Sequence, residues 1–177
     1  MNLPNVLIVI FIAYLIVVMF IYFYQRKLLY HPSENNYLDE TNLNHKIEKI
    51  YVQSDTELIS WYYNNNKSHK TILFFHGNAG RLDNRVYKLN ELAKLNINYL
   101  IVAYRGFSGN EGKPSEEGIY KDSKAAKKWL NVNGVDDKNI ILYGESLGTA
   151  VAVDLASKNN FAGIILESPF TSMTKLA

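Results

Sequence analysis

The sequence predicts a three-layer α/β domain with a mostly parallel sheet, carried behind one N-terminal transmembrane helix. Three observations lead there. The chain opens on an uncharged apolar stretch from Met1 to Tyr24. From Thr71 onward, short continuous apolar runs alternate with helical segments, the pattern of parallel strands covered on both faces. One of those runs leads directly into a glycine-flanked serine, followed by another helical stretch.

Within the first stretch, Val6–Phe23 is almost wholly aliphatic or aromatic. Some 20 helical residues cross a hydrocarbon core of roughly 30 Å. Pro4 suits a first helical turn, and Tyr22 and Tyr24 stand where interfacial aromatics favour the headgroup boundary. A cleaved signal peptide would want a basic start and a small-x-small cleavage site, and neither is visible. A buried core helix is rarely so apolar on every face. Arg26 and Lys27 follow the span directly, which places the globular part in the cytoplasm by the positive-inside rule. The expected organisation is an anchor over residues 1–25, a polar juxtamembrane connector over 26–45, and the α/β domain over 46–177.

Lys46–Gln53 and Glu57–Tyr63 alternate enough for two early strands, joined at Ser54-Asp55. Thr71–Phe75 is a strand buried on both faces, ended by His76-Gly77-Asn78. Leu82–Leu95 repeats leucine or valine every three or four residues, an amphipathic helix. Tyr99–Ala103 is the next buried strand, and Arg105–Gly112 a glycine-rich loop. Ser115 is a fitting N-cap for a helix to about Asn131, with Glu116 and Glu117 in its first turn and Gly134 beyond its end. Asn139–Tyr143, a helix to about Ser157, and Gly163–Leu166 complete the series.

Composition narrows the chemistry. The 177 residues are 47% hydrophobic and 20% charged, enough for one core and too few for two ordinary domains. A net charge of +2 without a Lys/Arg stripe offers no reason to propose nucleic acid. The absence of cysteine excludes disulfides, thiolate metal sites and a Cys nucleophile. No metal or organic cofactor is indicated.

The sharpest feature is Gly144-Glu145-Ser146-Leu147-Gly148. A strand-to-helix turn this tight brings backbone against backbone, so a Cβ at either flanking position would collide. The turn lifts Ser146 to the head of a helix, where free N–H groups favour a developing oxyanion. An ordinary glycine turn that happens to contain a serine is the bland alternative. A nucleophile needs two oxyanion donors, and the backbone N–H groups of Leu147 and Asn78 are the candidates. Gly77 and Gly80 let the loop His76-Gly77-Asn78-Ala79-Gly80 come close, and His76, Gly77, Ala79 and Glu145 line the same region. His76 precedes the serine, whereas acid and base follow it in this motif, so His76 braces the loop better than it serves as base. Glu145, Asp154 and Glu167 are the candidate acids. Asp154 falls about two helical turns past Ser146, and Glu167 ends the neighbouring strand.

In order, these pieces resemble a membrane-anchored branch of the α/β-hydrolase superfamily, the bud-emergence-like proteins and the depalmitoylase-type α/β-hydrolase-domain proteins. The resemblance rests on Gln25–Ser33, His76–Gly80, Tyr104-Arg105-Gly106, Gly109 through Gly118, Gly144–Gly148 and Glu167–Ser172, and covers nearly the whole chain. It implies the three-layer α/β-hydrolase fold and a serine hydrolase acting on an acyl ester, thioester or amide, with protein depalmitoylation among such relatives' activities. In that family the sheet has eight strands, the acid after the seventh and the histidine after the eighth. Here six strands are counted and no histidine lies beyond His76. The expectation is therefore a domain truncated before its acid and base, with negligible turnover alone. Two alternatives are a split enzyme, whose second polypeptide supplies the missing strands, and a non-catalytic membrane protein that binds lipid or a partner.

Overall fold

The uncharged N-terminal stretch forms one helix, α1 (Leu3–Leu29), in the computed structural model, which describes residues 2–33, 42–65 and 68–171. The Asn2 side chain caps it, accepting from the Asn5 N–H at 3.3 Å. Its 27 residues rise about 40 Å, and it is long and apolar enough to cross a membrane. It runs four residues past the expected limit at residue 25. Arg26, Lys27, Leu28 and Leu29 are good helix formers, and the two cations face the negative end of the helix dipole. Of the expected connector, residues 34–41 lie outside the described residues. The chain divides into two compact units, Met1–His31 and Pro32–Ala177.

The second unit is built on one six-stranded sheet. Strands β1 (Glu48–Gln53) and β2 (Glu57–Tyr63) form an antiparallel hairpin in which Gln53 pairs with Glu57. Then come β3 (Thr71–Phe75), helix α2 (Val86–Lys94), β4 (Asn98–Val102), α3 (Glu116–Val132), β5 (Ile140–Glu145), α4 (Leu147–Ala156) and β6 (Gly163–Glu167). The spatial order is β1-β2-β4-β3-β5-β6, with β4, β3, β5 and β6 mutually parallel. After β3 the chain moves to one neighbour, β4, and then crosses back to the other, β5. The carboxyl ends of β3 and β5 therefore flank a topological switch point, where open α/β sheets place their sites.

Strand periodicity sorts the core. Trp61, Ile72, Phe74, Tyr99 and Ile101 pack with Leu82, Val86 and Leu89 on the α2 face. The alternate residues Leu73, Phe75, Leu100 and Val102 are fully buried towards the other face. There α3 and α4 pack on each other and on the sheet, and the ring of Trp129 meets Tyr62 at 5.0 Å.

The α2 segment differs from the expected single helix over Leu82–Leu95. Leu82–Arg85 is a 3₁₀ turn, because the Asn84 side chain accepts from the Arg81 N–H at 3.0 Å and the Leu82 N–H is drawn to Ser108 Oγ at 3.2 Å. Ser115 caps α3 as expected, accepting from the Gly118 N–H at 3.2 Å. Double coverage of the sheet stops short of β6, where Ile164, Ile165 and Leu166 stay exposed.

Candidate active site

At the end of β5 the backbone turns within one residue. Ser146 has φ 50° and ψ −113°, a conformation costing a non-glycine residue on the order of 1–3 kcal/mol. Its neighbours hold it there. The Ser146 N–H donates to the Glu167 carbonyl at 2.9 Å, and the Ser146 carbonyl accepts from the Thr149 N–H at 2.9 Å and Thr149 Oγ1 at 2.6 Å. Both flanking glycines are needed for the close approach. A Cβ on Gly144 would lie 2.5 Å from the Gly148 carbonyl oxygen and 2.6 Å from Thr149 Cα. A Cβ on Gly148 would overlap the Phe75 carbonyl oxygen outright and come within 3.0 Å of the His76 carbonyl. Ser146 is half-buried rather than buried, and stands at the N-terminus of the ten-residue α4. Leu147, the first helical residue, contributes one of the N–H groups left without an intrahelical acceptor.

The loop after β3 meets this turn. A Cβ on Gly77 would lie 2.9 Å from Glu145 Oε1 and 3.5 Å from the Glu145 carbonyl oxygen, so the two loops touch through backbone. Gly77 is buried, Asn78 half-buried and Ala79 exposed. The structure thus brings Ser146, Leu147 and the His76–Gly80 loop to one end of the sheet.

His76 is fully buried. Its Nδ1 lies 2.7 Å from the Gly77 carbonyl and its Nε2 accepts from the Tyr104 N–H at 3.4 Å, so both ring nitrogens are engaged in bracing backbone. The Tyr104 ring packs against it at 4.2 Å, and the Tyr104 hydroxyl donates to the His76 carbonyl at 3.1 Å. Burial, then the charge of Arg85, lowers its pKa to about 3. This makes a stability prediction. Unfolded histidine titrates near 6.5, so between that pH and 3 the unfolded chain takes up a proton that the folded chain refuses. The contribution of His76 is fully present above pH 6.5 and is lost as the pH falls through the window towards 3. The loss amounts to at most about 1.4 kcal/mol per pH unit. Denaturant titrations at pH 7 and pH 5 should show about 2 kcal/mol lost by the wild type and a smaller loss by His76→Gln. An equal loss in both would contradict the buried neutral imidazole.

The candidate acids are otherwise engaged. Asp154 pairs with Lys158 just past the end of α4. Glu145 Oε1 accepts from Arg85 Nη2 at 2.8 Å and Oε2 from Lys88 Nζ at 2.8 Å. Lys88 also reaches both oxygens of Glu167, at 2.7 and 2.6 Å, and Glu167 accepts from the Tyr143 hydroxyl. Burial pushes the Glu145 carboxyl up, but Lys88 and Arg85 outweigh it and hold it below the usual range. Hydrogen bonds from Lys88 and Tyr143 hold Glu167 low as well. None of these carboxylates meets an imidazole among the described residues. Nor do three His, Asp or Glu side chains among them converge in a way that could hold a metal ion. Arg85 and Lys88 are absent from the sequence-based site. Their one sequence signal is a pair of cations one helical turn apart after the glycine loop.

Comparison with known proteins agrees with this architecture. A family described as Chlamydia CHLPS protein (DUF818) matches residues 14–164. An uncharacterized protein of Mycobacterium tuberculosis is 37% identical over 165 residues, covering 90% of this chain and 59% of that protein. Protein bem46 of Schizosaccharomyces pombe is 33% identical over 173 residues, covering 90% and 58% respectively. The α/β-hydrolase domain-containing protein 17C of Mus musculus is 41% identical over 112 residues, 62% of this chain and 35% of its own. Among solved structures, an α/β-hydrolase from Vibrio vulnificus superposes with a TM-score of 0.67 at 32% identity, covering 75% of this chain and 49% of its own. The chain spans about three fifths of the length of the first two of these relatives.

Proposed function

The chain belongs to the Chlamydia CHLPS protein (DUF818) family and has bem46-type α/β-hydrolase-domain homologues; on that premise we propose that it is a membrane-anchored serine hydrolase with Ser146 as nucleophile. The observation that carries this is the turn itself. A half-buried hydroxyl sits in a high-energy backbone conformation, held from both sides, at the head of a helix and against the backbone of the next strand's loop. Nothing in ordinary packing calls for such a residue, whereas a nucleophile that must be presented to an acyl carbon does.

In the proposed reaction Ser146 Oγ gives its proton to the base and attacks the acyl carbon, the carbonyl oxygen becoming an oxyanion held by the N–H groups of Leu147 and Asn78. The bond to the leaving group breaks as the base returns the proton to it, and water then hydrolyses the acyl-serine ester to the free acid. The substrate class is an acyl ester, thioester or amide. The anchor supports a substrate held at the membrane surface, and the resemblance to depalmitoylase-type proteins favours an acyl thioester on a protein. Arg26 and Lys27 at the end of α1 support a cytoplasmic position for the hydrolase unit.

His76 and the carboxylates near Ser146 are engaged by other partners among the described residues, and in this reading acid and base are carried by a segment whose strands pair beyond β6, such as a second polypeptide. The exposed Ile164, Ile165 and Leu166 support that docking. With such a segment present, a fluorophosphonate should label the protein at least about 100-fold faster than residues 1–177 alone, the usual contribution of a general base. Equal rates would sink this part of the proposal. A second reading, a non-catalytic partner on the β6 edge, rests on the same exposed residues. It requires that Ser146→Ala change nothing while charges placed in Gly163–Leu166 abolish the interaction.

A further inference from the structure

Arg85 lies just before α2, and its side chain is only 8% exposed. One guanidinium nitrogen, Nη1, donates to the Ala79 carbonyl at 2.7 Å. The other, Nη2, donates to Glu145 Oε1 at 2.8 Å. The first partner belongs to the loop that carries Asn78, and the second is the residue immediately before Ser146. Lys88 closes the far side of Glu145 at 2.8 Å. The loop glycines leave room for this fork. A Cβ on Gly77 would stand 3.3 Å from Nη2, and one on Gly80 would stand 3.0 Å from Nη1. The space beside the two glycines is thus occupied by a buried side chain of the protein itself.

We propose that Arg85 is a positioning residue: its planar fork fastens the Asn78 loop to the Glu145–Leu147 turn and so sets the spacing of the two oxyanion donors. The inference rests on the serine-hydrolase reading above. A guanidinium suits the task because its donors leave one rigid plane in two fixed directions, one to a carbonyl and one to a carboxylate. An ammonium on a flexible stem lacks that fixed in-plane geometry and holds the two partners at no set spacing. A buried ion pair with a merely structural role would lower stability when broken and leave the chemistry of the remaining folded molecules untouched.

Arg85→Met and Arg85→Lys, assayed with the proposed acid- and base-bearing segment present, separate these roles. The measurements are kcat and KM for a soluble acyl ester, the folded fraction, and amide hydrogen exchange by mass spectrometry. Per folded molecule, Arg85→Met should lower kcat about 100-fold, the scale of one misplaced oxyanion donor, with KM changed less than about threefold. Arg85→Lys should recover only part of that loss. Exchange at residues 77–80 should rise while Thr71–Phe75 stay protected. A kcat that falls only with the folded fraction overturns the positioning role, as does unchanged exchange at 77–80. Ser146→Ala is run beside them: turnover that survives it overturns the hydrolase reading itself, and the role of Arg85 falls with it.

Discussion

Ser146→Ala should reduce acyl hydrolysis, measured with the proposed acid- and base-bearing segment present, at least about 10⁴-fold, to the level left by oxyanion donors and binding alone. The size of the effect follows from where the residue stands. Within the turn Ser146 is half-buried, whereas Thr149, one turn on, is buried and spends its Oγ1 on the Ser146 carbonyl at 2.6 Å. Removing one oxygen should leave the fold intact, since Ser146 is held through its N–H and carbonyl. Alanine at φ 50° costs only the backbone strain that serine already bears. The substitution therefore separates chemistry from stability. Initial rates on a soluble ester, with the unfolding midpoint measured beside them, would show a collapsed kcat and a nearly unchanged midpoint. Activity within tenfold of wild type would rule out the nucleophile.

Gly148→Ala should be the most damaging small substitution in the domain. The added methyl would stand 2.0 Å from the Phe75 carbonyl oxygen and 2.6 Å from its carbon, and neither belongs to a flexible side chain. Relief requires moving α4 away from β3 or distorting the end of a fully buried strand. Ordinary overpacking costs about 1–3 kcal/mol, and a clash of backbone with backbone should exceed that range. Gly163→Ala is the matched control, because a Cβ there meets nothing within 4 Å. Surface changes of that kind stay within about 0.5 kcal/mol. Denaturant midpoints should therefore fall steeply for Gly148→Ala and stay put for Gly163→Ala. Equal stability of the two variants would mean that α4 does not press on β3 as described.

Much of this architecture is legible from residues because its demands are local. Thr71–Phe75, the strand from Asn98 and the strand from Ile140 announce themselves as short apolar runs, since a strand covered on both faces has no polar side. The turn at Ser146 is legible because close backbone approach excludes every side chain at Gly144 and Gly148, leaving a fixed spacing in the sequence. His76 is legible as a brace from its place before the serine. Arg85 and Lys88 are not legible in this way. On an amphipathic helix a cation reads as part of a solvated face, and their partner Glu145 lies 60 and 57 residues along the chain. Only the β4-β3-β5 order of the sheet brings them together. For the same reason Glu145 reads from sequence as a candidate acid or binding group, although Arg85 and Lys88 hold both of its oxygens. The break before Val86 is hidden because Asn84 and Ser108 act through hydrogen bonds that hydrophobic spacing does not record.

Mass-spectrometric mapping of the fluorophosphonate adduct, with the proposed acid- and base-bearing segment present, tests the nucleophile most directly. The expected result is a single phosphonyl addition on the peptide that carries Ser146, absent from Ser146→Ala. An adduct on Ser168 or Tyr143, or no adduct in the folded protein with that segment present, would contradict it.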